Sequence, residues 1–113
     1  MMKYALIPIF AASAALADPP QVADVTISGD RVSVSILHPD TGWDHYADGW
    51  EVLDANGNRL GFRELAHPHV NEQPFTRSQS GIVIPEGATS VFIRTRCSVD
   101  GWSEELFEVA LDD

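Results

Sequence analysis

The feature that most constrains this chain is a series of short segments in which apolar and polar residues alternate, each ending in residues that favour turns. The segment 32–36 alternates valine and isoleucine with serine, and the segment 91–97 repeats the pattern later in the chain. A period of two residues places successive side chains on opposite faces of a strand. The sequence therefore predicts an all-β fold in which each sheet buries one face.

Seven segments of this kind follow Pro20, and none of the intervening sequence has a convincing helical period. The segments lie at residues 25–27, 32–36, 50–53, 60–62, 82–84, 91–97 and 107–111. Gly29-Asp30 and Asn56-Gly57-Asn58 predict tight turns after the first and third segments. Seven short antiparallel strands in a domain of about 100 residues are typical of an immunoglobulin-like sandwich. An up-and-down barrel of similar strand number is the competing architecture.

The last third of the chain resembles the end of a fibronectin type III domain. The resemblance rests on Phe92–Arg96, on Gly101-Trp102-Ser103 and on the acidic pair Glu104-Glu105. These match the family's sixth strand, the following loop and the start of its last strand. The tryptophan of the family's second strand and the tyrosine of its sixth are absent here. The resemblance implies a sandwich fold and a general binding role, and it assigns no functional residue.

The N-terminal segment has the pattern of a cleaved signal peptide. Lys3 precedes an apolar run at residues 5–16, and Ala15-Leu16-Ala17 has the small residues that a signal peptidase recognises. This predicts a signal peptide at residues 1–17 and a single domain at residues 18–113. The apolar run is shorter than the roughly 20 residues that a membrane span needs, and no cysteine lies at or just after the cleavage site, where a lipid would be attached. The expected product is periplasmic or secreted, without a membrane anchor.

The charge balance restricts the partners of the expected mature domain. Removing Lys3 leaves six arginines against seventeen carboxylates, a formal charge of −11. Nucleic acid and anionic lipid are poor partners for such an acidic protein, whereas cations and basic protein surfaces are favoured. A domain of this size also leaves little room for a large cleft. We therefore expect a binding module rather than an enzyme, with no catalytic residues.

The order of the strands brings the unusual connections to one end of the predicted sandwich. Connections between successive antiparallel strands alternate between the two ends of a sheet, so 38–48, 67–80 and 99–103 share an end. These long connections contain all the histidines of the chain: His38, His45, His67 and His69. We call this end the histidine pole. Loops of this length in a small domain are uncommon and often functional.

A metal site at the histidine pole is the first functional hypothesis. His67-Pro68-His69 places two imidazoles two residues apart, which directs both rings to one side of an extended backbone. Such a pair could bind Cu(II) or Zn(II). The predicted ligands are His38, His45, His67 and His69, with carboxylate help from Asp40 or Asp44. In the alternative, these histidines are exposed or hydrogen-bonded to acidic residues and hold no metal.

Cys97 is the only cysteine, so the chain cannot form an internal disulfide. Its position on the inward side of a strand predicts a small buried hydrophobe. A blue-copper centre is not favoured, because Ser98–Trp102 supplies no histidine or methionine close after the cysteine. Both methionines precede the predicted cleavage site.

Aromatic residues at the same pole give the second hypothesis, an interaction surface for a periplasmic or envelope protein. The predicted contact residues are Trp43, Tyr46, Phe75 and Trp102, because aromatic side chains are enriched among residues that dominate interface energies. In the alternative, Trp43 and Trp102 cap the core. Trp50 lies within a predicted strand and is expected to be buried.

Overall fold

The computed structural model describes residues 19–111, in which eight strands and no helix are found. The strands are β1 (Gln21–Ser28), β2 (Arg31–Leu37), β3 (Ala47–Leu53), β4 (Arg59–Glu64), β5 (Phe75–Gln79), β6 (Ser90–Cys97), β7 (Gly101–Trp102) and β8 (Phe107–Ala110). The predicted signal peptide at residues 1–17 lies outside the described residues. In the described part of the chain, no helix is long and apolar enough to cross a membrane.

The strands form two antiparallel sheets. The three-stranded sheet has the order β1-β2-β5, and the five-stranded sheet has the order β4-β3-β6, with both β7 and β8 paired to β6. The predicted all-β class is confirmed. Two sheets of this kind are compatible with the predicted immunoglobulin-like or fibronectin-like sandwich, although residues 19–111 form eight strands where the sequence predicted seven.

Both predicted tight turns are present. Gly29 adopts a φ of 61° between β1 and β2, and Gly57 adopts a φ of 84° between β3 and β4. The second turn is closed by the Asp54 carboxylate, which accepts hydrogen bonds from the backbone N–H groups of Asn56 and Asn58 at 2.9 and 2.8 Å. The hydrogen bond from the Asn58 backbone N–H is the largest of the interactions that lower the pKa of Asp54 below its ordinary value.

The strand predicted at 82–84 is wrong, because the fifth strand lies earlier, at Phe75–Gln79. Its outward residues are polar and pair with serines of β2. Ser33 and Ser78 hydroxyls lie 2.6 Å apart, as do those of Ser35 and Thr76. Cross-strand hydroxyl pairs of this kind stabilise a sheet without an apolar alternation. On the opposite face, Arg77 and Gln79 follow the buried Phe75 but are polar, so the segment lacks the apolar alternation that predicts a strand.

The segment predicted as a strand instead supplies one core side chain. Ile82 is 2% exposed although it lies outside any strand. It packs over Gly61 of β4 so closely that a Cβ atom on Gly61 would lie 2.6 Å from Ile82 Cγ1. Because a glycine here leaves the space that the isoleucine fills, the irregular segment closes the core without pairing.

The core lies between the two sheets. Its large buried side chains include Trp50, which is fully buried as predicted, together with Phe75 and Ile36. The wider cluster consists of Val32, Val34, Ile36, Ala47, Trp50, Val52, Leu65, Phe75, Ile82, Val91 and Ile93. Burying a side chain of this size contributes roughly 1.5 to 3 kcal/mol, so packing between the sheets is the main source of stability.

Strand register fixes the position of the histidine pole. The last residue of β6, Cys97, pairs with the first residue of β3, Ala47. In the other sheet Ile36, near the end of β2, pairs with Phe75 at the start of β5. The connections 38–46, 65–74 and 98–100 therefore leave the sheets at the same end. This end carries all four histidines, and it carries Cys97 as well.

Candidate metal centre

Three residues from different parts of the chain meet at the histidine pole. His38 directly follows β2, His45 lies in the connection before β3, and Cys97 is the last residue of β6. One ring nitrogen of each histidine and the Cys97 sulfur lie within 4.8 Å of one another. The two imidazole rings make an edge contact, with centroids 4.9 Å apart. Within residues 19–111, these three residues form the group whose geometry could hold a metal ion.

The group is buried, and two of its nitrogen atoms have no hydrogen-bond partner. His38 is fully buried, and Cys97 is 1% exposed. The Nε2 atoms of His38 and His45 are both inaccessible to solvent, and neither makes a hydrogen bond. Burying a polar group without a partner costs about 1 to 3 kcal/mol. Trp50 Nε1, Arg63 Nε and His69 Nδ1 are also buried without partners, so what distinguishes this group is that two such imidazoles are gathered with a thiol.

The Asp40 side chain fixes the orientation of His38. Its Oδ1 atom accepts a hydrogen bond from His38 Nδ1 at 2.6 Å and from the Ala47 backbone N–H at 3.0 Å. A proton held on Nδ1 leaves the lone pair of the buried Nε2 free for another partner. A carboxylate behind a histidine is a common outer-shell partner of metal ligands, since it sets the tautomer and increases ligand basicity.

Backbone hydrogen bonds hold His45 beside Cys97. The Thr41 N–H donates to the His45 carbonyl at 3.0 Å, and the His45 N–H donates to the Gly42 carbonyl at 3.1 Å, which closes a tight loop. The Tyr46 carbonyl accepts a hydrogen bond from the Ser98 backbone N–H at 2.9 Å, and the Tyr46 N–H donates to the Ser98 hydroxyl at 3.0 Å. The loop is thus attached to the residue that follows the cysteine.

Cys97 is buried, as expected for a small hydrophobe, but its sulfur also takes part in polar contacts. The Val99 backbone N–H donates to Sγ at 3.4 Å, and the thiol lies 4.0 Å from Asp100 Oδ2. The ligand set predicted from the sequence omitted this residue. Its position at the end of the sixth strand could have revealed it, because strand order places that end at the histidine pole.

The other histidines form a separate pair. The rings of His67 and His69 lie 4.6 Å apart. His69 stacks on Phe75 at 3.8 Å, and its Nε2 accepts a hydrogen bond from Arg77 at 2.8 Å. Burial is the main cause that lowers the pKa of His69, followed by the charges of Arg77 and His67. His67 is exposed, and its Nδ1 lies 3.1 Å from the Pro68 carbonyl.

The six predicted ligands are therefore placed in different environments. His38 and His45 lie together, with Asp40 behind them. His67 and His69 do not join a group of three or more such ligands in the described residues. Asp44 is exposed and lies 3.4 Å from the Thr41 hydroxyl.

The predicted aromatic contact residues are dispersed as well. Trp43 is 69% exposed and makes an edge contact with Tyr46, with ring centroids 5.6 Å apart. Phe75 is 1% exposed, so its ring belongs to the core and is closed to a partner. Trp102 is half-buried on the five-stranded sheet, where the guanidinium groups of Arg94 and Arg96 lie 4.8 and 5.0 Å from its ring.

Comparison with known proteins finds a relative whose name bears on the cellular location. The chain is similar to a protein of Halomicrobium mukohataei named "Putative lipoprotein", with 43% identity over 93 residues. The match covers 78% of this chain and 45% of the relative, so the chain spans less than half the length of that protein. No protein family matches the chain. No solved structure matches it either.

Proposed function

We propose that this chain is a metal-binding module of the cell envelope that holds one zinc or copper ion through His38, His45 and Cys97. The observation that carries the proposal is the grouping of one ring nitrogen of each histidine with a buried thiol within 4.8 Å, in rings whose Nε2 atoms are buried without partners. Deprotonated thiols and neutral imidazoles are the ligands that zinc and copper prefer in proteins.

The spacing of the ligand atoms suits an ion after a small adjustment. Bonds of about 2.0 Å to nitrogen and 2.3 Å to sulfur place neighbouring ligand atoms roughly 3.5 Å apart. The three ligand atoms lie within 4.8 Å of one another. Rotation of the His45 ring, which is the least buried of the three side chains, is the motion that we expect to close the site.

The envelope location is supported by two observations. The relative from Halomicrobium mukohataei is named as a lipoprotein, and residues 1–17 have the pattern of a signal peptide. We propose a binding role rather than catalysis because the two ring nitrogens are closed to solvent, which leaves a substrate no approach to an ion held between them.

Calorimetric titration with Zn(II) tests the proposed ligands. The chain and its His67→Ala variant should bind one ion each with similar affinity, whereas His45→Ala and Cys97→Ser should bind at least about 100-fold more weakly. His67 is the matched control because it is an exposed histidine of the same pole. Normal binding by Cys97→Ser together with loss of binding in His67→Ala would contradict the proposal.

The same variants need a check on folding, because Cys97 is buried. Urea unfolding in the presence of a chelator should show cooperative transitions for all of them. Lost metal binding in a variant that still unfolds cooperatively then reports on ligation itself.

A second candidate function is an interaction surface for an envelope protein, centred on Trp43. We propose it because Trp43 and Val70 are 69% and 50% exposed and border one shallow depression of about 620 Å³, together with His67 and Pro68. Replacing Trp43 by alanine should release a partner that is cross-linked in the native envelope. Trp102→Ala should retain it, because that ring is held by arginines on the sheet. An unchanged set of cross-linked proteins in Trp43→Ala would exclude this surface.

A further inference from the structure

The number and type of ligands at this site distinguish between metals. A structural zinc site takes four protein ligands, and a catalytic one takes three and a water molecule. The group here offers two imidazoles and one thiol, and both free ring nitrogens are closed to solvent. A dry set of two nitrogens and one sulfur leaves one position of a tetrahedral zinc site without a ligand. It is the trigonal set that copper uses in electron transfer.

The fold holds these ligands through contacts that do not depend on an ion. Asp40 holds the His38 ring through a 2.6 Å hydrogen bond, the Gly42–His45 bridge holds the loop that carries His45, and Cys97 of β6 pairs with Ala47 of β3. Ligands that are held by the protein keep their geometry when the charge of the ion changes. Such a site accommodates Cu(I) and Cu(II) with little rearrangement.

The sulfur is placed for a tuned copper–thiolate bond. The Val99 backbone N–H donates to Cys97 Sγ at 3.4 Å, and the side chain is 1% exposed. Hydrogen bonds to the thiolate and an apolar surrounding are the features that set the potential of such centres. The histidines come from the connection before β3, which is why the residues following Cys97 in sequence gave no indication of this site.

His45 provides the route to the surface. His38 and Cys97 are buried, whereas His45 is half-buried and lies between Trp43 and Tyr46 in sequence. With copper bound, an electron leaving Cu(I) through the His45 ring would pass to a one-electron acceptor such as another metal centre. The ion would become Cu(II) while both imidazoles and the thiolate stayed bound, so the step would break no bond and move no proton.

From these features we infer that the site is a copper site for reversible one-electron transfer. The inference rests on the proposed function and deepens it by naming the ion and its chemistry. Relative affinity alone is a poor criterion, because Cu(II) binds more tightly than Zn(II) at most sites of nitrogen and sulfur ligands. The decisive property is a thiolate-to-copper bond that survives repeated oxidation and reduction.

The test is an anaerobic titration of the full chain with one equivalent of Cu(II), followed by visible absorption and electron paramagnetic resonance. An intense thiolate-to-Cu(II) charge-transfer band should appear in the chain and in His67→Ala, and it should be absent in Cys97→Ser. Ascorbate should bleach the band as Cu(I) forms. Hexacyanoferrate(III), a one-electron oxidant, should then restore at least about nine-tenths of it over several cycles.

The outcomes separate the inference from the proposed function. If Zn(II) and copper bind through Cys97 but the band is absent or is lost after one cycle with disulfide-linked dimers, the copper inference fails and metal binding stands. If neither ion binds the chain at one equivalent, both fail. Full recovery of the band in the chain, with none in Cys97→Ser, supports both.

Discussion

The two histidine pairs at the histidine pole consist of the same side chains but differ in what their ring nitrogens contact. In the first pair, the Nε2 atoms of His38 and His45 are buried without partners beside a thiol. In the second pair, Nε2 of His69 accepts from Arg77, which leaves the ring proton on the buried, unpaired Nδ1, and His67 faces solvent. A metal site therefore depends on which lone pairs the fold leaves unused, and the number of histidines is a weaker guide.

Asp40 contacts both histidine pairs, but through different groups of the histidines. Its Oδ1 accepts from the side chain of His38, whereas its Oδ2 accepts from the backbone N–H of His69 at 2.8 Å. The same carboxylate orients a ring in the first pair and fixes a loop in the second. The first pair should therefore govern metal affinity, and the second should govern the stability of the pole.

The largest expected effect is the difference in metal affinity between a mutation in the first histidine pair and a mutation in the second. His38→Ala should weaken Zn(II) binding at least about 100-fold because it removes a ligand. His69→Ala should weaken it less than about 3-fold while lowering the free energy of unfolding by roughly 1 to 3 kcal/mol, through loss of the stack on Phe75 and of the Arg77 bond. Competition with a chromophoric chelator measures the affinity. Equal losses of affinity would remove the distinction between the pairs.

A smaller effect is expected from the connecting carboxylate. Asp40→Asn keeps the shape of the side chain but replaces an acceptor oxygen with an NH₂ group. That group faces N–H donors that bind the carboxylate in the unchanged chain, so the proton of His38 is no longer held on Nδ1. Metal affinity should fall about 10- to 100-fold, and the metal-free protein should lose about 1 to 3 kcal/mol of unfolding free energy. The exposed Asp44→Asn is the control and should change stability by less than about 0.5 kcal/mol. Wild-type affinity in Asp40→Asn would show that the carboxylate has no orienting role.

The smallest effect concerns pH. Burial lowers the pKa of His69 below its ordinary value of 6.5, so just below that pH the folded protein binds fewer protons than the unfolded chain. Stability is then lost as the pH falls below about 6.5. In urea unfolding of the metal-free protein between about pH 7.5 and pH 5.5, His69→Gln should lose less stability than the unchanged chain. A steeper loss in the variant would contradict the assignment.

The fold could be predicted wherever the buried face is apolar. The alternation in β2 and β6, and Gly57 in the β3–β4 turn, were sufficient because only one register buries these residues. The strand Phe75–Gln79 was missed because Arg77 and Gln79, which share the face of the buried Phe75, are polar and leave no apolar alternation. Ile82 was assigned to a strand because it belongs to the apolar run 82–84. The sequence does not show that it packs singly over Gly61.

The position of the candidate site could be predicted, and its composition only in part. Strand order brought His38 and His45 to one end, because connection parity needs no side-chain detail. Cys97 was left out because buried cysteines are usually small hydrophobes. The contact between Arg77 and His69, which removes one nitrogen from use, depends on side chains eight residues apart and is invisible to spacing alone.

The most direct test of the central claim is X-ray absorption at the metal edge of the chain loaded with one equivalent of Zn(II) or Cu(I). Ligation by His38, His45 and Cys97 predicts one sulfur neighbour at about 2.3 Å and two imidazole nitrogens at about 2.0 Å. Cys97→Ser should lose the sulfur contribution. A coordination shell made only of nitrogen and oxygen in the unchanged chain would contradict this ligand set and would favour the exposed pair of histidines.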